Sequence, residues 1–81
     1  MKPTLDRIIA LVAEFGYFDT KELSAETRFI EDIGFDSLDM VEVVMAVEDE
    51  YDIVLSDDEA YGVVTIQDLL NTATRLHEQG T

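Results

Sequence analysis

The sequence predicts an all-α fold in which three longer helices and one short helix surround a single core. Three stretches repeat apolar residues at helical spacing, and residues able to cap a helix precede the predicted helix starts. No stretch alternates apolar and polar residues for long enough to indicate a strand. With 81 residues, the chain is expected to form one domain over residues 1–81.

The first helix is expected at about Thr4–Phe15, where apolar residues recur at helical spacing. They are Leu5, Ile8, Ile9, Val12 and Phe15. Gly16 suits the C-terminal cap of this helix, because glycine adopts a left-handed backbone at little cost.

Residues 17–36 lose the helical pattern and contain many turn-forming residues, which predicts a long loop. A short helical turn is expected near Lys21–Leu23. The apolar residues expected to hold the loop against the core are Phe18, Leu23, Phe29, Ile30 and Ile33. A loop of this length in a compact domain is uncommon and often functional.

The second helix is expected at Ser37–Tyr51 and carries apolar residues on two separate arcs. Asp36 suits its N-cap position, and Asp39 lies three residues later, as in a capping box. The first arc is a core stripe of Met40, Val43, Val44, Val47 and Tyr51. The second arc contains Leu38, Val41 and Met45, bordered by Ser37, Glu42, Glu48 and Asp49.

Two explanations fit the second arc. The helix could be central and contact neighbours on both sides. Alternatively, the arc is a docking surface, whose apolar residues supply contact area while its acids steer a basic partner.

The remaining helices are recognised by their starts. A short third helix is expected near Asp57–Tyr61, because Ser56 and Glu59 form an S-x-x-E capping box. The fourth helix is expected to begin after Thr65, because Thr65 and Asp68 are three residues apart, as a cap and its N3 residue are in a capping box. Its apolar stripe is Ile66, Leu69, Leu70, Ala73 and Leu76.

The charge balance excludes several classes of partner. Nineteen acidic residues against five basic ones give a net charge of −14. Nucleic acid and anionic membrane surfaces would both repel such a chain. No apolar run approaches the ~20 residues of a membrane span, so a cytoplasmic protein is expected.

The sequence also lacks the residues of a catalytic or metal centre. It contains no cysteine, which excludes disulfides, cysteine-bound metals and a cysteine nucleophile. His77 is the single histidine and is expected at a solvated helix end. The spacing of Asp57, Glu59, Gly62 and Asp68 only partly matches a calcium-binding loop, and no metal site is predicted. We therefore expect no enzymatic activity.

Ser37 is the candidate attachment residue. As the first residue of the second helix, it lies at the positive end of the helix dipole, where an attached phosphate would be stabilised. Taken alone, this triplet of Asp36, Ser37 and Leu38 is better explained as a simple helix cap.

Residues 29–51, FIEDIGFDSLDMVEVVMAVEDEY, closely resemble the acyl carrier proteins, as do residues 57–60 and 65–68. The resemblance implies an antiparallel four-helix bundle. It implies that Ser37 carries 4′-phosphopantetheine through a phosphodiester and that Asp36 assists the modification. The arm would supply the thiol that this cysteine-free chain lacks.

The resemblance also implies the partners. They are a phosphopantetheinyl transferase and acyl-chain synthases and transferases with basic docking patches. Separately, the high like charge of the chain favours a monomer. The implied docking residues are Leu38, Asp39, Val41, Glu42, Met45, Glu48 and Asp49. This is the second arc derived above from helical geometry, with Asp39 added.

The function that follows is carriage of acyl thioesters, in fatty acid or related lipid biosynthesis. Departures from the family pattern leave a dedicated polyketide, aminoacyl or specialised lipid carrier as an alternative. They include Phe35, Met40, Val43, Val47 and Tyr61. The two valines would reshape the internal acyl pocket. A different class, an unmodified acidic interaction or cation-binding module, is the second alternative.

Overall fold

The computed structural model describes residues 1–80, which contain four α-helices. They are α1 (Leu5–Gly16), α2 (Ser37–Tyr51), α3 (Asp57–Tyr61) and α4 (Ile66–Gln79). A 3-10 turn at Thr20–Glu22 lies in the loop between α1 and α2. Over the described residues there is no strand, only an isolated antiparallel bridge between Arg28 and Thr65. The predicted all-α fold is confirmed.

Side chains cap all four helices at their N-termini. Thr4 accepts a hydrogen bond from the Arg7 amide at the start of α1. The starts of α2, α3 and α4 carry complete capping boxes, with Asp36, Ser56 and Thr65 as the N-cap residues. Each box satisfies amide groups that the helix geometry leaves without partners. The predicted starts of these three helices are therefore confirmed.

The end of α1 differs from the prediction. Gly16 is the last residue of the helix, and Tyr17 takes the left-handed conformation, with φ of 59°. Gly16 is needed for a different reason. A Cβ atom there would lie 2.5 Å from Cε2 of Phe18 and 3.2 Å from Cε1 of Phe35. The small residue makes room for two rings and does not cap the helix.

One hydrophobic core lies between α1, α2 and α4. Its largest fully buried side chains are Phe29, Ile8, Ile66, Leu69, Val12, Val43 and Val47. Burial of this apolar surface is the main force that stabilises the bundle. α3, by contrast, contributes no buried residue.

The loop from α1 to α2 is fixed by backbone hydrogen bonds to the segment before α4. The Phe29 amide donates to the Val64 carbonyl, and the Ile66 amide donates to the Thr27 carbonyl, both at 3.0 Å. Leu23 and Phe29 are buried, as predicted, and Phe18 and Ile33 pack against the core. The prediction for Ile30 is wrong, because its side chain is 63% exposed.

Ion pairs connect the helices at the surface. Arg7 of α1 binds Glu50 of α2, with 2.7 Å between Nε and Oε2. Arg75 of α4 binds Glu59 of α3, with 2.6 Å between Nη2 and Oε2. The hydrogen bond from Arg7 lowers the pKa of Glu50. The pKa of Glu59 falls to about 2, mainly because its carboxylate accepts from the Ser56 amide and also from Arg75.

His77 is less solvated than predicted. It is half-buried, and its ring meets that of Tyr51 edge-on, with centroids 6.5 Å apart. The helix face that carries His77 is turned toward α2, which explains the contact. None of the helices found in residues 1–80 is long and apolar enough to cross a membrane.

Candidate functional site

The turn that leads into α2 presents Ser37 to solvent. Gly34 has φ of 73°, a left-handed conformation that glycine adopts without strain. The Phe35 amide then donates to the Phe29 carbonyl at 2.9 Å, and the Phe35 side chain is buried. Ser37 follows as the first residue of α2, with its side chain exposed.

An aromatic cluster holds this turn in place. The ring of Phe35 lies 5.6 Å from that of Phe15 in an edge contact. It stacks on Phe29 at 5.8 Å and lies 6.2 Å from the ring of Phe18. The cluster contains all four phenylalanines of the chain and was not predicted from the sequence. The rings fix the backbone two residues before Ser37.

The helix cap at this position is formed by Asp36 and not by Ser37. The Asp36 carboxylate accepts from the Asp39 amide at 2.9 Å, and the Asp39 carboxylate accepts from the Asp36 amide at 3.1 Å. Within residues 1–80, no hydrogen bond engages the Ser37 hydroxyl. The cap is complete without the serine, so its hydroxyl remains available for modification.

The surroundings of Ser37 suit a phosphodiester. The capping box supplies a partner for the Asp39 amide but none for the amides of Ser37 and Leu38, which begin the helix. These amides and the helix dipole favour negative charge at this end of α2. The residues present therefore fit a phosphate-linked group on the Ser37 oxygen.

The second arc of α2 is exposed. Leu38, Val41 and Met45 have 66%, 55% and 54% of their surface accessible, and Glu42 and Asp49 are also exposed. The explanation that this arc packs against a second neighbour is therefore wrong. The core stripe is confirmed: Val43, Val44, Val47 and Tyr51 are buried, and Met40 packs against them.

Two of the acids assigned to the docking surface have structural contacts. The Glu48 side chain is half-buried, and its carboxylate accepts from the Leu55 amide at 2.8 Å. Asp39 belongs to the capping box of α2. The freely exposed acids on this arc are Glu42 and Asp49.

A groove of about 380 Å³ opens beside Ser37, between α2, α3 and the loop before α2. Most of its lining is apolar: Ile30, Met40, Val41, Val44, Met45, Leu55, Ala60 and Val63. Ser37, Glu48, Asp57 and Tyr61 complete it. Val43 and Val47 are fully buried in the core instead. The two valines therefore do not line this groove, and their effect on the internal acyl pocket stays a prediction.

Across residues 1–80, no three acidic or histidine side chains come together in an arrangement that could hold a metal ion. Several acids of the two acidic runs, residues 48–50 and 57–59, have other partners. Glu50 and Glu59 bind arginines, and Glu48 binds a backbone amide.

Comparison with known proteins identifies the family. Residues 6–73 match the family model described as a phosphopantetheine attachment site. The acyl carrier protein of Helicobacter hepaticus is 42% identical over 67 residues, which cover 83% of this chain and 88% of the relative. That of Clostridium acetobutylicum is 39% identical over 66 residues, covering 82% and 86%. This chain belongs to the acyl carrier protein family, whose members hold acyl intermediates on a covalent 4′-phosphopantetheine and do not catalyse reactions themselves.

Proposed function

We propose that Ser37 is the residue to which the 4′-phosphopantetheine of this acyl carrier protein is attached. The observation that carries the proposal is the free, exposed hydroxyl at the start of α2, which Asp36 and Asp39 relieve of any capping role. The apolar groove that begins at the same serine supports it.

The modification requires one displacement at phosphorus. The Ser37 oxygen attacks the pyrophosphate of coenzyme A, an oxygen–phosphorus bond forms, and the bond to the adenosine-bearing phosphate breaks. The serine proton leaves to a base of the phosphopantetheinyl transferase, which provides the catalysis. In this chain, the α2 N-terminus stabilises the phosphodiester, and the exposed Asp36 lies next to the reacting hydroxyl, where it can contact the transferase or its metal ion.

When attached, the group supplies the thiol that the cysteine-free chain lacks. The tether at Ser37 places an acyl chain beside the groove, whose walls are mainly apolar. An alkyl chain gains about 0.8 kcal/mol for each methylene removed from water. This lining favours a fatty acyl cargo over an aminoacyl one, and we propose fatty acid or related lipid biosynthesis as the pathway. A specialised lipid carrier is the second candidate, which the same apolar groove would also serve.

The exposed arc of α2 is the proposed docking surface for partner enzymes. Leu38, Val41 and Met45 provide the apolar contact, and Glu42 and Asp49 attract a basic patch on the partner. Glu48 and Asp39 contribute charge from fixed positions. We also propose that the protein acts in the cytoplasm and as a monomer. The monomer is supported by the net charge of −14, which makes two copies repel each other.

The experiment that tests the site locates the adduct by peptide mass spectrometry after treatment with coenzyme A and a phosphopantetheinyl transferase. The chain offers two matched controls, since Ser24 and Ser56 are also exposed. Ser24 lies beside the Thr27 hydroxyl, and Ser56 caps α3. The adduct should lie on Ser37 alone. An adduct on either control serine would overturn the assignment.

A further inference from the structure

The three tyrosines of this chain lie in very different surroundings. Tyr51 is buried, with 5% of its surface accessible. Tyr17, just after α1, is 96% exposed, and Tyr61, the last residue of α3, is 86% exposed. Tyr61 differs from Tyr17 in one respect, because it also lines the groove beside Ser37. A large aromatic side chain therefore borders the groove without being buried in it.

The helix that carries Tyr61 is lightly attached to the bundle. α3 spans five residues and buries none of them. Its capping box and the bond between Glu59 and Arg75 hold it in place. Few buried contacts are typical of a segment that moves at low cost in free energy. Tyr61 can thus change its position without disturbing the core.

Side chains with large apolar surfaces line both sides of the groove. Val41 and Met45 line it from α2, each with more than half of its surface exposed. Tyr61 lines it from α3 and Ile30 from the loop. An alkyl chain between them would bury apolar surface on both sides. A tyrosine suits the outer position, because its ring covers apolar atoms while its hydroxyl stays in water.

We infer that Tyr61 closes over an apolar acyl chain bound in the groove and is the residue that selects and retains such cargo. The inference rests on the proposed attachment at Ser37, since the tether determines which chain reaches the groove. It assigns Tyr61 a role toward the cargo, distinct from the docking role of α2.

The first test compares the reactivity of the three tyrosines toward tetranitromethane, read by peptide mass spectrometry. Intact mass first establishes that the protein carries an acetyl, octanoyl or dodecanoyl thioester. Tyr61 should become less reactive with the two longer chains and not with acetyl. Tyr17 should react equally in all forms, and Tyr51 should stay protected. Equal reactivity of Tyr61 in the acetyl and dodecanoyl forms would overturn the inference and leave the proposed function intact.

The second test measures cleavage of the dodecanoyl thioester by hydroxylamine in Tyr61→Ala, Tyr61→Phe and Tyr17→Ala. Loss of one aromatic contact should accelerate cleavage in Tyr61→Ala roughly threefold to tenfold. Tyr61→Phe keeps the ring and should match the wild type, as should Tyr17→Ala. Cleavage at the wild-type rate in Tyr61→Ala would overturn the inference. Failure of the wild type to load at all would instead refute the proposed function, and the inference with it.

Discussion

Asp36 and Asp39 cap the start of α2 reciprocally, each carboxylate accepting from the backbone amide of the other residue at 2.9 and 3.1 Å. Ser37 lies between them in sequence and takes no part in the cap. The N-cap residue Asp36 and the proposed attachment residue Ser37 are therefore neighbours with separate roles. Replacing Asp36 should lower the stability of the fold, and replacing Ser37 should prevent attachment of the prosthetic group.

The first prediction follows from this separation. Ser37→Ala should change the free energy of unfolding by less than about 0.5 kcal/mol, as is usual for an exposed position. Asp36→Ala removes the N-cap and should cost about 1 kcal/mol. Urea unfolding of the two variants in the unmodified form provides the comparison. Equal destabilisation by both would show that Ser37 shares the capping role.

The second prediction concerns Gly16. Alanine is the better helix former, yet a Cβ at Gly16 would meet Phe18 at 2.5 Å. Gly16→Ala should therefore destabilise the protein by about 1–3 kcal/mol, the usual cost of overpacking. Gly62→Ala is the matched control, because its Cβ would meet no atom closer than 3.6 Å and its φ is −77°.

Thermal unfolding of both glycine variants measures the difference. Gly62→Ala should unfold at or slightly above the wild-type temperature. If Gly16→Ala is as stable as the wild type, the aromatic cluster is looser than the contact distances indicate.

The third prediction is a pH dependence. The pKa of Glu59 falls from 4.5 to about 2, so the folded state favours the charged carboxylate. Its stabilisation is complete above the unfolded pKa and is lost as the pH falls from about 4.5 toward 2. Glu59→Gln keeps the capping geometry but removes the charge. The stability difference between wild type and Glu59→Gln should be largest near pH 7.

Urea titrations of the two proteins between pH 7 and pH 3 test this point. Subtracting the free energy of unfolding of one protein from that of the other removes the effect of protonating the acids that both proteins share. The difference should shrink steadily below pH 4.5. A difference that stays constant over the whole range would mean that the charge on Glu59, which faces the Ser56 amide and Arg75, does not stabilise the folded protein.

The fourth prediction concerns docking. Glu42→Lys reverses an exposed charge in the middle of the proposed docking surface and should slow association with a basic partner by roughly tenfold at low salt. Glu14→Lys, an exposed position on α1, makes the same charge change elsewhere. Stopped-flow association with the phosphopantetheinyl transferase measures both. The difference between the association rates of the two variants should narrow as salt screens the charges. Equal rates at low salt would contradict the docking surface.

Much of the fold was predictable because local rules decide it. The cap residues Asp36, Ser56 and Thr65 specify where α2, α3 and α4 begin, and these hydrogen bonds involve residues three apart. The two arcs of α2 followed from helical periodicity alone. The position of Ser37 at the helix start was predictable for the same reason.

The features that were missed depend on contacts between distant residues. Glycine is a typical C-terminal cap residue, but Gly16 instead makes room for the ring of Phe18 and for that of Phe35, which lies nineteen positions later. Ile30 has the apolar character of an anchor, yet the pairing of Phe29 with Val64 turns it toward the groove. Periodicity within one segment contains no information on such contacts. The groove itself, which three separate segments form, was beyond prediction for this reason.

The most direct test of the central claim is intact mass before and after incubation with coenzyme A and a broad-specificity phosphopantetheinyl transferase. The wild type should gain one phosphopantetheinyl group, and folded Ser37→Ala should gain none. The same gain in Ser37→Ala, or no gain in the folded wild type, would contradict the assignment of Ser37 as the attachment residue.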